Sequence, residues 1–156
     1  EGARACRYPP TGIRGFGPHR AAQYGLRTEE YFATIDELVI FIALIETAEA
    51  VENIDEILAV EGVDTFIIGP VDLSISLGVP FEYESQTFQD AQARLATAAH
   101  RAGKPAGIGI YRPAFDPQSL QRAIDDGFSV LLAGGDEPFL GSGCSQMAQI
   151  RTDLGY

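Results

Sequence analysis

The chain has 156 residues, the length of one ordinary domain, and 46% of them are hydrophobic, enough apolar material for a core. Its 22 acidic residues outnumber 11 basic ones, giving a formal charge of −11. That balance argues against nucleic acid and anionic membrane surfaces as partners, because phosphate contacts need Lys and Arg. Two cysteines, Cys6 and Cys144, outside any C-x-x-C pattern argue against a disulfide framework. With no signal peptide and no apolar run of about 18 residues, a soluble cytoplasmic protein is the expectation.

The chain opens on Glu1-Gly2-Ala3-Arg4-Ala5, without Met, in what reads as the tail of a helix. The expectation is a piece that starts within a domain. Tyr8-Pro9-Pro10-Thr11-Gly12-Ile13-Arg14-Gly15-Phe16-Gly17 follows, too rich in Pro and Gly for regular structure. A short helix fits Pro18 to Tyr24. Another fits from Thr28, with Glu29 and Glu30 at its positive end.

From residue 39 the pattern alternates between strand and helix. Val39-Ile40-Phe41-Ile42-Ala43-Leu44-Ile45 is a continuous apolar run, as in a strand buried on both faces of a parallel sheet. Thr47 then suits an N-cap before apolar positions Ala50, Val51, Ile54, Ile57 and Leu58. Asn53 with Glu56 is a second capping-box signal, so this helix is expected to break there. Gly62 ends the helical pattern before the strand Thr65-Phe66-Ile67-Ile68. Gly103 leads likewise into Ala106–Ile110, and Gly127 into Val130–Ala133, as helix-ending glycines do. Between them, Thr87 is expected to cap a helix with Ala91, Leu95, Ala98, Ala99 and Ala102 inward. Asp116-Pro117 reads as N-cap and first helical residue, and a last helix is expected from about Pro138 to Asp153.

Four βα units imply a parallel sheet with right-handed crossovers. They amount to half of a (β/α)₈ barrel, with a four-stranded doubly wound sheet as the competing architecture. The half-barrel is favoured because polar residues fall at successive strand ends. The whole chain is expected to form one partial domain, the C-terminal part of a barrel.

Glu46 ends the first strand and Asp72 lies just past the second, 26 residues on. Neighbouring parallel strands about 4.8 Å apart would bring both carboxylates to the C-terminal rim, where barrel enzymes do chemistry. Two like charges there are satisfied by a shared proton or by a cation. Oxygen ligands without Cys or His nearby favour Mg²⁺, with Mn²⁺ or Co²⁺ as alternatives. Helix capping explains the same spacing equally well. Gly69-Pro70-Val71-Asp72-Leu73-Ser74 joins strand to helix, so the free amides of Val71 and Asp72 would face an anion such as a 2-oxo acid carboxylate.

Three ordered segments carry a family resemblance: Ile45-Glu46-Thr47-x-Glu49-Ala50-Val51-x-Asn53, Val60-Glu61-Gly62-Val63-Asp64, and Ile68-Gly69-Pro70-x-Asp72-Leu73-Ser74. With Arg7-Tyr8-Pro9-Pro10-x-Gly12-x-Arg14-Gly15, Gly103-Lys104-x-x-Gly107-Ile108 and Asp136, they resemble the HpcH/HpaI aldolase family, part of the citrate lyase beta-related superfamily. The resemblance implies a TIM barrel and metal-dependent retro-aldol cleavage of a 4-hydroxy-2-oxo acid to pyruvate and an aldehyde. Substrates of that kind include 4-hydroxy-2-oxoheptanedioate and 2-dehydro-3-deoxy sugar acids. It implies Glu46 and Asp72 as metal ligands, with substrate held by Gly69, Pro70, Val71 and Asp72. The metal would polarise the ketone and stabilise the enolate. The family's His base and a substrate-binding Arg lie on earlier strands, so no catalytic residue is assigned within this chain. Leu44 departs from the pattern, standing where family members often carry Gln.

Arg14 is a candidate for lining the site, with a structural ion pair as the alternative. His19 is read as a solvated loop residue and His100 as a cation at a helix C-terminus. Asp136 is read as the N-cap of the last helix. Cys144 and Met147 are read as packing residues, within the subunit or against a neighbour. The resemblance makes a homo-oligomer through the C-terminal helix the expected assembly. Two other readings stand beside the aldolase: a citrate-lyase-β-like lyase of coenzyme A thioesters, and a truncated paralogue without activity of its own.

Overall fold

The structure, a computed structural model, describes residues 1–110 and 117–156. Four strands, β1 (Ile42–Ile45), β2 (Thr65–Ile68), β3 (Ala106–Gly109) and β4 (Val130–Leu132), form one parallel sheet in the order β1-β2-β3-β4. The helices are α1 (Gly2–Ala5), α2 (Thr28–Leu38), α3 (Ala48–Glu52), α4 (Ile54–Ala59), α5 (Pro70–Ser76), α6 (Gln86–Ala102), α7 (Pro117–Asp125) and α8 (Asp136–Asp153). A kinked 3₁₀ segment, His19–Gly25, precedes α2.

The strand order decides between the two architectures. A doubly wound sheet reverses direction at a switch point, which puts helices on both faces. Here each strand pairs with the next in sequence, with no reversal. Right-handed crossovers that always advance the same way leave all crossover helices on one face. The burial agrees. Ile45, Phe66, Ile68 and Ile108 point to that face and are buried with Val51, Ile54, Leu58, Leu73, Phe88, Leu95 and Phe128. On the other face Ile42 is 42% exposed and Leu44 58%. This is a barrel arc with its inner face uncovered.

That exposure corrects one expectation. The run 39–45 is not a strand buried on both faces. Regular pairing begins only at Ile42, because the Asp64 carboxylate takes the Phe41 amide at 2.7 Å. The inner face of β1 has no covering layer among the described residues.

Most caps follow the local sequence. Thr47 accepts from the Ala50 amide at 3.1 Å and starts α3. The helix does break at Asn53, although the Asn53 side chain makes no capping bond. Gly103, at φ +64°, closes α6 in the left-handed conformation. The cap of α6 is Ser85, which accepts from Phe88 N at 3.4 Å, rather than Thr87. The helix thus starts at Gln86, and Thr87 lies exposed in its first turn. Ala91, Leu95, Ala98 and Ala99 are buried as expected, but Ala102 is exposed in the final turn. Asp136 is the first residue of α8 rather than its cap; its carboxylate accepts from the Glu137 amide at 2.9 Å. The expected cap at Asp116 lies outside the described residues.

Candidate functional site

The strand register builds the site row by row. Leu44 pairs with Ile67, Ile67 with Gly107, and Gly107 with Val130. Side chains alternate along a strand, so the next row on the same face lies two residues on. The pairs Ile45–Ile68 and Ile68–Ile108 place Glu46 beside Gly69 and Gly69 beside Gly109, which itself pairs with Leu132. The Gly69 amide donates to Ile45 O at 3.0 Å, which carries the ladder to this row. The rim of the inner face therefore reads carboxylate, glycine, glycine, leucine.

The two glycines leave a slot beside Glu46. A Cβ built on Gly69 would lie 3.3 Å from Glu46 Oε2 and 3.5 Å from Leu44 Cδ1. Any larger residue at 69 would displace the carboxylate. Leu44 and Ile67, one row deeper, floor the slot.

Directly after Gly69 the chain turns into α5, with Pro70 at its first position. The missing Pro N–H costs nothing there, since first-turn amides have no partner within the helix. No side chain caps α5. Asp72 lies in that first turn and is exposed, while Leu73 and Ser74 are buried beneath it. The Ser74 hydroxyl locks the turn, donating to Val71 O at 2.7 Å and accepting from Phe81 N at 3.0 Å.

The set of donors fits a hard divalent cation. Glu46 and Asp72 make no side-chain hydrogen bond or ion pair with any other described residue. The described residues hold no group of three or more His, Cys, Asp or Glu side chains suited to a metal. Two carboxylates alone would fill only part of an octahedral shell.

Arg14 sits elsewhere. Its guanidinium lies 4.9 Å from the Tyr8 ring centroid, and its amide donates to Arg7 O at 2.8 Å. Arg7 in turn bonds Val39 O at 3.0 Å and stands 3.8 Å from Asp64. Both of those residues precede their strands. The Arg7–Arg14 loop is thereby anchored on the N-terminal side of the sheet, the rim opposite Glu46. The structure gives Arg14 stacking on Tyr8, neither the site lining nor the ion pair that the sequence offered.

Tyr8 is 3% exposed, and its hydroxyl has no well-formed hydrogen bond. The nearby Tyr31 hydroxyl, first, and burial, second, raise its pKa above the ordinary 10.0. His19 and His100 are exposed, as expected. A cavity of about 360 Å³ lined by Phe88, Gln92, Ile108 and Ala123 lies on the helix side of the sheet. It shares Pro70, Val71 and Gly109 with the rim but reaches neither Glu46 nor Gly69.

Two structural residues escaped the sequence reading. Lys104 Nζ donates to Leu58 O at 2.5 Å and to Val63 O at 2.6 Å, tying the end of α4 to β3. Thr65 donates to Pro105 O at 2.6 Å across the strand starts. No local pattern marks either, since all three bonds span forty or more residues.

The family model described as HpcH/HpaI aldolase/citrate lyase matches residues 2–136. Among curated relatives, a hydroxypyruvate/pyruvate aldolase of Rhizorhabdus wittichii is 38% identical over 148 residues, 93% of this chain and 56% of its own. A 2-keto-3-deoxy-L-rhamnonate aldolase of Escherichia coli is 41% identical over 121 residues, 74% of this chain and 44% of its own. Among solved structures, an HpcH/HpaI aldolase/citrate lyase family protein of Burkholderia cenocepacia superposes with a TM-score of 0.81 at 30% identity, covering 94% of this chain and 57% of its own. The HpcH/HpaI aldolase of Desulfitobacterium hafniense gives 0.80 at 31% identity, covering 96% and 57%. The chain spans about half the length of the curated relatives it matches.

Proposed function

The chain belongs to the HpcH/HpaI aldolase/citrate lyase family, and from that premise we propose that it forms the metal and 2-oxo acid cradle of a pyruvate aldolase. The reaction is reversible cleavage of a 4-hydroxy-2-oxo acid to pyruvate and an aldehyde. The observation that supports this reading is Glu46, beside Gly69 and unpartnered among the described residues, with the unpartnered Asp72 three residues past Gly69 in the first turn of α5.

Glu46 and Asp72 would hold the divalent cation, Mg²⁺ by the hardness of their oxygens, with Mn²⁺ and Co²⁺ as substitutes. When bound, the cation supplies Lewis-acid polarisation of the 2-oxo group. Gly69 keeps the slot open for the substrate. Pro70 fixes the turn so that the Val71 and Asp72 amides face the substrate carboxylate. Arg14, stacked on Tyr8, is assigned to holding its loop. The general base and the remaining wall of the site would come from the other barrel strands.

Two further parts of the proposal concern setting. No helix among the described residues is long and apolar enough to cross a membrane, which supports a cytoplasmic enzyme. The helix α8 buries none of its residues and exposes Leu140, Met147 and Ile150, which supports packing of α8 on another subunit in a homo-oligomer.

The test is cleavage by the assembled enzyme, followed by pyruvate release with and without EDTA. Loss of pyruvate release with EDTA, restored by Mg²⁺, is the expected result. EDTA-resistant cleavage overturns the metal assignment. Faster turnover of malyl- or citramalyl-CoA than of free hydroxy-oxo acids would move the protein to the citrate-lyase-β side of the family.

A further inference from the structure

Resting on that reading, we propose that Ser76 is a positioning residue for the metal site: its hydroxyl ties α5, which bears Asp72, to the turn that bears Glu46. Ser76 Oγ accepts from the Ala48 amide at 2.9 Å, across 28 residues of chain. Ala48 is the first residue of α3, and Glu46 lies two residues before it. Ser76 is the last residue of α5 and stands four residues after Asp72, so the two share one side of that helix.

This bond is the second of two that join the same pair of segments. The Gly69 amide donates to Ile45 O at 3.0 Å just before α5 begins, and the Ala48 amide donates to Ser76 where α5 ends. Glu46 lies between Ile45 and Ala48 in sequence, and Asp72 between Gly69 and Ser76. The helix between the two bonds has seven residues, a length of roughly 10 Å. Beneath it, Leu73 is fully buried and pins the helix to the core. The buried Ser74 ties it only to the loop that follows, through the Phe81 amide. A short helix pinned at its middle can tilt, and a bond to the Glu46 segment at each end removes that freedom. The carboxylates themselves make no side-chain bond that would fix their spacing, so the spacing is set by how their two segments are joined.

The helix α3 does not depend on this bond for its own start. Thr47 already caps it through the Ala50 amide at 3.1 Å, and the Ala48 amide is a first-turn donor that water can satisfy. Ser76 is exposed and Ala48 half-buried, so removing the hydroxyl leaves no cavity and orphans no deeply buried group. Its loss should register in the geometry offered to a cation more than in the stability of the fold.

The experiment compares the assembled enzyme with Ser76→Ala, with Ser76→Thr, which restores a hydroxyl, and with Ser85→Ala, which removes the side-chain cap of α6. The Mg²⁺ dissociation constant is measured by calorimetry without substrate, and urea unfolding is followed for each protein. Ser76→Ala is expected to weaken Mg²⁺ binding about tenfold, the range found when a group that orients a ligand is lost. Ser76→Thr is expected to return to within about threefold of the unaltered protein. Ser85→Ala is expected to lower the urea midpoint at least as much as Ser76→Ala while binding Mg²⁺ within about twofold of the unaltered protein. Mg²⁺ affinity within about twofold in Ser76→Ala, an equal loss in Ser85→Ala, or no recovery in Ser76→Thr each overturns the role of Ser76 and leaves the aldolase reading standing. Absence of Mg²⁺ binding to the unaltered protein overturns the metal assignment itself, and the role of Ser76 with it.

Discussion

The two rims of the sheet carry the same kinds of residue and treat them in opposite ways. At the N-terminal rim, Asp64 takes the Phe41 amide at 2.7 Å and stands 3.8 Å from Arg7. The Lys104 ammonium donates to two carbonyls, and the Thr65 hydroxyl to a third. At the C-terminal rim, Glu46 and Asp72 have no partner among the described residues, and α5 starts without a side-chain cap. One rim uses polar groups to join elements far apart in sequence. The other does so only in part: Thr47 caps α3 and Ser76 accepts from the Ala48 amide, while Glu46 and Asp72 are left unpartnered among the described residues.

Substitutions can break or sharpen that contrast. The largest effect is expected from Glu46→Gln or Asp72→Asn, which should cut EDTA-sensitive turnover by on the order of a hundredfold or more. Stability should shift by no more than about 0.5 kcal/mol, since neither carboxylate holds the fold. Steady-state kinetics and urea unfolding together read both numbers, and a large loss of stability would erase the distinction between rims. Lys104→Met should do the reverse. It orphans the Leu58 and Val63 carbonyls and should cost about 2–3 kcal/mol in urea unfolding, with the Mg²⁺ dissociation constant unchanged.

Gly69→Ala is the sharper probe of the slot. Its Cβ would press on Glu46 Oε2 at 3.3 Å, and a shifted ligand should weaken Mg²⁺ binding about tenfold in calorimetry. Asp64→Asn should cost about 1–2 kcal/mol of stability and leave metal affinity alone.

The smallest effect is expected at Tyr8. Its buried hydroxyl makes no well-formed bond, so Tyr8→Phe should be neutral or stabilise by up to about 1 kcal/mol. The pH dependence has a defined sign. The folded pKa is raised above 10.0, so the unfolded chain releases this proton first as pH rises. The contribution of Tyr8 is full below pH 10 and is lost as pH climbs through the folded value. Alkaline unfolding curves should therefore be flatter for Tyr8→Phe than for the unaltered protein.

The legible parts of the molecule share a physical cause. Thr47, Gly103 and Gly127 act within a few residues of themselves, through a side-chain cap or a left-handed turn. Their effects are therefore written locally. The place of Glu46 was legible for a related reason: one βα repeat sets the end of β1 beside the end of β2, so Glu46 lies next to Gly69. Choices among near-equivalent neighbours were not legible. Ser85 and Thr87 are both good caps, and Gly135 and Asp136 both suit the start of α8. The outcome depends on where the helix must begin to bury Phe88 and Ala91, or on whether a side chain reaches its own neighbour's amide.

By itself, the sequence determined the four βα units, the helix-ending glycines and the two carboxylates one repeat apart. Those features follow from periodicity and from backbone freedom, which are properties of short stretches. Tertiary structure alone decided that Leu44 and Ile42 share the sheet face opposite the helices, that Arg14 stacks on Tyr8, and that Lys104 joins α4 to β3. Each of these depends on contacts between residues brought together by sheet order and crossover direction. No window of local sequence contains both partners. The same geometry placed Glu46 beside Gly69 and left both Glu46 and Asp72 without a side-chain partner among the described residues.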